Sequence, residues 1–279
     1  MIRLYRRGDE TQINVLFKTV FQKERTVEEW RWKYETLGAK DPIIVVYEEN
    51  GEILGHAACI IFEDSVAERV DIMVHPEHQG KGIYKRIVKR LIAEIEMRNI
   101  KNVYGFPAEV AKKAFIKYGG ATDLGNIALL VAPILVRKNF NWRSIKEANL
   151  EKLASYNTDL NSIHIKRSEE FLRKRYVKHP TNKYYFYEVE GEGYAVVRIN
   201  GNKTFLIDVV GNQPKNIIKE VRKRVTTRFL ISWAVKNSDF YKDLKGAKLF
   251  HIKSPMPIVV RQHNIDQTWH LTQADVDSF

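Results

Sequence analysis

The segment Gln79-Gly80-Lys81-Gly82-Ile83-Tyr84 carries the clearest chemistry in the chain. It stands between an apolar, strand-like run and a long amphipathic run. Glycines at such a junction let the backbone approach a ligand closely, and the unpaired N–H groups of a helix start face an anion. Lys81, Lys85 and Arg86 add positive charge at the same mouth. The pattern predicts a cradle for a phosphate or pyrophosphate. Two familiar cradles fail. No glycine lies five residues before Gly80 and no Ser or Thr follows Lys81, so this is not a Walker loop. Lys85 stands where a dinucleotide fingerprint needs its third glycine. A plain strand-to-helix turn is the competing reading of the segment taken alone.

The elements that must position this segment follow from the pattern of apolar residues. Ile13, Leu16, Phe17 and Val20 share one face of a first helix, and Thr26-Val-Glu-Glu29 opens the next with a capping box. Ile43 to Tyr47 and Ile53 to Phe62 read as strands around Asn50-Gly51, a strong hairpin signal. A further strand, Ala67 to Val74, leads into the motif. Ile87, Leu91 and Ile95 then fall four apart on a helix reaching about Arg98. Asn102 to Phe106 is the next strand, and a short helix ends at Tyr118-Gly-Gly120.

Motif and context together resemble the GNAT acyltransferase superfamily. Its signature of Gln or Arg, two residues, Gly, one residue, then Gly or Ala is met by Gln79, Gly82 and, imperfectly, Tyr84. The resemblance covers residues 2 to about 137 in element order. It implies a mixed α/β sheet that splays after its fourth strand, with acetyl-CoA as acyl donor in the cleft. It further implies that the pantetheine pairs with Ile72-Met73-Val74, and that N–H groups from Gln79 through Gly80, Lys81, Gly82 and Ile83 to Tyr84 hold the pyrophosphate. The acceptor is then an amine that attacks the thioester directly.

Departures from the family pattern bear on catalysis. Pro107-Ala108 stands where an Asn is common, and Phe115 where a Tyr protonates the leaving thiolate. That role is vacant, passed to Tyr118, or unnecessary. A base helps to present a neutral amine. Asp71 is the candidate, with Glu63, Asp64 and His75 near it in sequence. Strand alternation puts Asp71, Met73 and His75 on one face, so that Asp71 and His75 look into one cleft. An exposed strand carboxylate is the other reading of Asp71. His75-x-x-His78 has metal-like spacing but lacks a third ligand, so no metal is expected. Trp30, Trp32 and Tyr34 read as helix core or as a roof over the acceptor, and Cys59 as a buried, inert thiol.

The second half echoes the first. Glu29-Trp-Arg-Trp-Lys-Tyr34 returns as Glu170-Phe-Leu-Arg-Lys-Arg-Tyr176, Gly55 as Gly193, Asp71 as Asp208, and Pro133-Ile-Leu-Val as Pro257-Ile-Val-Val. Echoes kept in order argue for two copies of one fold, 1–140 and 141–279, the second degenerate because Asp208-Val-Val-Gly-Asn-Gln-Pro-Lys215 has no glycine cradle. One CoA site is therefore expected.

Composition sets the remaining bounds. The 279 residues are 44% hydrophobic and 29% charged, a core-forming balance that excludes disorder. A single cysteine excludes a disulfide framework. The start of the chain lacks a secretory pattern and no apolar run is long enough to span a membrane, which leads us to expect a cytoplasmic protein. The net charge of +12 is uneven, with 22 basic against 19 acidic residues up to position 140 and 24 against 15 beyond it. A basic half attracts anionic partners, so an anionic amine acceptor such as a nucleotide-linked amino sugar is expected. Two alternatives remain: a CoA-binding regulatory module without turnover, and an RNA-interacting acyl transferase, for which no RNA-binding motif appears.

Overall fold

The computed structural model describes residues 1–63, 66–136, 139–156, 161–264 and 266–276. Two compact units emerge, Met1–Leu124 with Pro257–Ile265, and Gly125–Met256 with Asp266–Phe279. The halves 1–140 and 141–279 expected from the sequence are thus redrawn: residues from Gly125 onward pack with the second unit, and those from Pro257 to Ile265 with the first.

In the first unit the chain runs β1 (Ile2–Leu4), α1 (Glu10–Phe21), α2 (Val27–Arg31), β2 (Lys40–Glu49), β3 (Glu52–Ile61), β4 (Val66–Val74), α3 (Ile83–Met97), β5 (Asn102–Gly105) and α4 (Glu109–Gly119). Strands β1 to β4 are antiparallel neighbours in order, and β5 lies parallel to β4 with α3 as the crossover. Val259 to Arg261 close this sheet against β5. The capping box at Thr26 is present, its hydroxyl accepting from the Glu29 N–H. Helix α3 buries Ile87, Val88, Leu91 and Ile95 against Val45, Ala57 and Cys59 of the sheet. Each such aliphatic side chain contributes about 2 kcal/mol by leaving water, so α3 and the loop before it are firmly seated.

The second unit repeats the plan with β6 (Thr122–Pro133, its later residues), β7 (Arg143–Ser144), α5 (Leu150–Ser155), β8 (Ser162–Ile163), α6 (Glu169–Leu172), β9 (Tyr185–Val189), β10 (Gly193–Asn200), β11 (Lys203–Gly211), α7 (Pro214–Arg224), β12 (Phe229–Val235), α8 (Asp239–Gly246), the first part of β13 (Phe250–Arg261) and β14 (Thr268–Trp269). Strands β9, β10 and β11 form an antiparallel meander. Strand β12 is parallel to β11 across α7, as β5 is to β4 across α3. Ile217, Ile218 and Val221 of α7 pack on Ala195, Val197 and Leu206. The repeat read from sequence is therefore a repeat of fold.

One local irregularity is shared. After α2 the backbone widens into a π-turn at Trp32–Thr36, and after α6 into another at Arg173–Val177. In the first, Trp32, Lys33 and Tyr34 are all buried although they are consecutive. A π-turn offsets successive side chains differently from a regular helix, and such turns are frequent at functional or tightly packed positions.

Candidate active site

Strand β4 pairs with β5 only from Val66 to Arg69, where Arg69 faces Gly105. Strand β5 ends at Gly105 and Pro107 follows, so the β4 backbone from Val70 to Val74 has no β5 neighbour. An unpaired strand edge is a template for an extended ligand carrying amides. Met73 and Val74, the expected pantetheine partners, lie on this edge, and both side chains are buried.

The edge leads directly to the glycine segment. Gly80 and Gly82 both have a φ of +77°, and a Cβ built on either would meet nothing within 4 Å. The left-handed backbone favours glycine at both positions, and the space above them is open. Gly82 is the N-cap of α3, with no side-chain cap. The first intrahelical bond runs from the Arg86 N–H to the Gly82 carbonyl, at 3.2 Å. The N–H groups of Ile83, Tyr84 and Lys85 thus precede the helical ladder, at the positive end of a 15-residue helix without acidic residues in its first turn. Gln79 folds back to donate toward the Val74 carbonyl, at 3.4 Å. Lys81 and Lys85 are exposed beside this mouth. The donor set fits a pyrophosphate. Tyr84, the residue that departs from the signature, turns inward and packs on the core, where burial raises its phenol pKa.

Asp71 sits within a charged cluster. A bulge in β4 gives it a φ of +47° and turns it away from α3. There it meets Arg25, Lys33 and Tyr34: the Arg25 guanidinium and the Lys33 ammonium both pair with it, the latter at 2.8 Å, and the Tyr34 hydroxyl donates at 2.6 Å. Burial alone would raise its pKa, but Lys33 and Arg25 hold the carboxyl well below the usual range. A carboxylate held ionised by two cations is a weak proton acceptor. Asp208 is held comparably in the second unit, paired with one cation, Arg167, at 2.7 Å and accepting from Tyr176 at 3.0 Å and Thr272 at 2.9 Å. That unit lacks the glycine cradle. A cluster kept in both copies regardless of the cradle holds the π-turn to the sheet, a structural part for Asp71 beside the general-base role expected from the sequence.

The other candidates also find their places. Among the described residues, no hydrogen bond or ion pair joins His75 to Asp71; His75 and His78 instead stack edge-on with ring centroids 5.7 Å apart. No group of three or more potential metal ligands occurs among the described residues. Asp64 lies outside the described residues, and Glu63 sits between β3 and β4. Trp30, Trp32 and Tyr34 are core, none more than 4% exposed. Cys59 is fully buried and burial pushes its thiol up to about 12. Tyr118 is half-buried on α4, its ring 5.6 Å from the Lys85 ammonium, on the α3 side of the unit. Phe115 is 2% exposed and packs beneath the Arg69 guanidinium.

Two residues were not singled out in the sequence. His56 lies opposite Met73, fully buried, with Nδ1 2.7 Å from the Asp71 carbonyl and Nε2 without a partner among the described residues. Burial lowers its pKa to about 4, so it is neutral. Arg69 is the second; it stands beside Glu68 in Val66-Ala-Glu-Arg-Val70, so no residue pattern marks it out.

The second unit closes off the equivalent site. Only Asn212 and Gln213 separate β11 from α7, and Pro214 at the helix start removes an N–H. Asp239 and Asp243 line the cavity beside Gly211 and Pro214, and they would repel phosphate.

Comparison with known proteins agrees with this geometry. Residues 1–115 match the family described as acetyltransferase (GNAT) domain. No curated protein matches the chain. Among solved structures, a conserved protein of unknown function from Enterococcus faecalis is 14% identical, covering 93% of this chain and 72% of its own, with a TM-score of 0.69. A GCN5-related N-acetyltransferase from Anabaena variabilis is 12% identical over 95% and 74%, with a TM-score of 0.68. A tandem GNAT protein from the clavulanic acid biosynthesis pathway is 10% identical over 93% and 97%, with a TM-score of 0.61. At such identities the likeness is one of fold.

Proposed function

We propose, for a chain whose residues 1–115 match the GNAT acetyltransferase domain and whose fold is like that of a tandem GNAT protein, that the protein moves an acetyl group from acetyl-CoA to an amine. The observation that carries this reading is the continuity of the open β4 edge with the Gly80–Gly82 cradle at the start of α3. In it, the N–H groups from Gln79 to Tyr84 hold the pyrophosphate, with Lys81 and Lys85 adding charge, while Met73 and Val74 pair with the pantetheine through their backbone. The bound thioester supplies the activated acyl group. The chain's part is to orient it and to exclude water from it. With Asp71 held in its cluster, the amine arrives neutral or passes its proton to solvent.

The acceptor in this reading is anionic. Support comes from the charge excess of the second half and from a cavity of about 690 Å³ lined by Lys219, Arg222, Lys223 and Lys248 without an acidic residue. Incubation with acetyl-CoA and a panel of amines, followed by thiol release, tests the activity. Turnover with at least one anionic amine, weakening as salt rises, is expected. Phe115 favours a second reading, a CoA-responsive module without turnover, because it cannot protonate a thiolate. Stoichiometric binding with no turnover on any amine would select that reading. No helix among the described residues is long and apolar enough to cross a membrane; a cytoplasmic setting is part of this proposal.

A further inference from the structure

Arg69 is a buried cation with no anion beside it among the described residues. It is 7% exposed, and among the described residues no carboxylate lies within ion-pair distance of it. Its position is special in the fold. It is the last residue of β4 paired to β5, so it stands at the fork where the two strands part. Its side chain runs over Gly105, where an added Cβ would come within 3.3 Å of it, and its guanidinium lies on the ring of Phe115 from α4. Tyr84 and Cys59 are the groups that act on its charge, which places it on the α3 side of the sheet. Seen from the glycine cradle, it lies beyond Val74, Met73 and Ile72 along the same open strand.

Burying an unpaired charge costs several kcal/mol unless an anion completes it. The cost is visible here, since burial lowers the Arg69 pKa to about 9; the group remains charged at neutral pH. A group placed where the cleft ends, touching Phe115, meets whatever negative charge develops there. We propose that Arg69 receives the charge of the departing CoA thiolate, in place of the hydroxyl that Phe115 lacks, a proposal that rests on the acyl-CoA reading given above. As the new C–N bond forms, the C–S bond breaks and its electron pair leaves on sulfur. The guanidinium stabilises that thiolate electrostatically without giving up a proton. The proton lost by the amine reaches the sulfur through solvent, so the products are amide and free CoA.

The first arm of the test reads the thiol directly and needs no acceptor; the turnover arm uses an amine found active with the wild type. Full-length protein is saturated with CoA, and the ultraviolet absorbance of the thiolate is followed against pH, with the acetyl-CoA complex as reference. Free CoA titrated alongside supplies the reference value. In the wild type the bound thiol should titrate at least one unit lower, which is tenfold more thiolate at neutral pH. Arg69→Gln and Arg69→Met should restore the free value, and Arg69→Lys should keep most of the shift. In acetyl-CoA turnover, Phe115→Tyr should rescue Arg69→Met by supplying a proton donor, as no packing role of Arg69 would allow. A wild-type thiol that titrates like free CoA overturns the proposal without any variant, so poor folding of one does not protect it. A shift that survives in Arg69→Gln overturns it too. If CoA does not bind the wild type at all, the acyl-CoA reading itself falls.

Discussion

Replacing Asp71 by Asn separates a structural carboxylate from a catalytic one. In the structure Asp71 neutralises Arg25 and Lys33, whose side chains are each 1% exposed, and accepts the Tyr34 hydroxyl. The amide keeps the size and can still accept from Tyr34, but it leaves two buried cations with less charge than they need. Removing one partner of a buried ion pair costs about 3–5 kcal/mol. For a unit of this size, that loss lowers the melting temperature by on the order of 10 °C. Asp208→Asn should cost the second unit less, because Arg167 keeps its pairing with Asp275 at 2.7 Å. The assay is thermal and urea unfolding of both variants, with the transitions fitted separately because two units need not melt together. Acetyl-CoA affinity of the Asp71 variant is measured below its transition, where it should stay within a few-fold of wild type. Full stability of Asp71→Asn combined with a hundredfold or greater loss of turnover would refute the structural assignment and restore Asp71 as the base.

His56 predicts a pH dependence. Its folded pKa is lowered from 6.5 to about 4 by burial. Between those values the unfolded chain binds a proton that the folded chain does not, so stability falls as pH drops through this window, by at most about 1.4 kcal/mol per pH unit. His56→Gln should flatten that part of the wild-type profile, as read by unfolding at several pH values; an unchanged slope would show that His56 does not cause it. Cys59, buried on β3, should resist alkylation in the folded protein and react fully in denaturant, as mass spectrometry would show. Asp243→Lys, which puts a cation beside the second unit's Gly211 and Pro214, should create no second acetyl-CoA site by calorimetry, because the loop before α7 is too short for a cradle.

Much of the fold was legible because it is written in local pattern. The aliphatic spacing of α3 named the face it buries, and the echo between Tyr34 and Tyr176 and between Asp71 and Asp208 announced the repeat. The same echo held the answer about Asp71, since a catalytic carboxylate has no reason to recur where the cradle is lost. The partners of Asp71 lie far off in sequence, Arg25 before α2 and Lys33 in the π-turn, which no residue pattern advertises. The division near residue 140 failed for a related reason. Apolar periodicity identifies a strand but not the unit it joins, and the segments beginning at Gly125 and Pro257 each look equally at home in either. Alternation did place Asp71 and Met73 on one face, although a bulge intervenes. Arg69 does not stand out in the sequence beside Glu68, and only the end of the β4–β5 pairing gives it a position.

The account stands or falls on the Gly80–Gly82 cradle, and calorimetric titration of the full chain with acetyl-CoA tests it most directly. One site per chain is predicted for the wild type. Gly82→Trp, which forces a large side chain into the open space and strains a backbone at φ +77°, should abolish binding while leaving the fold intact by circular dichroism. Binding that survives in Gly82→Trp, or two sites in the wild type, would contradict it.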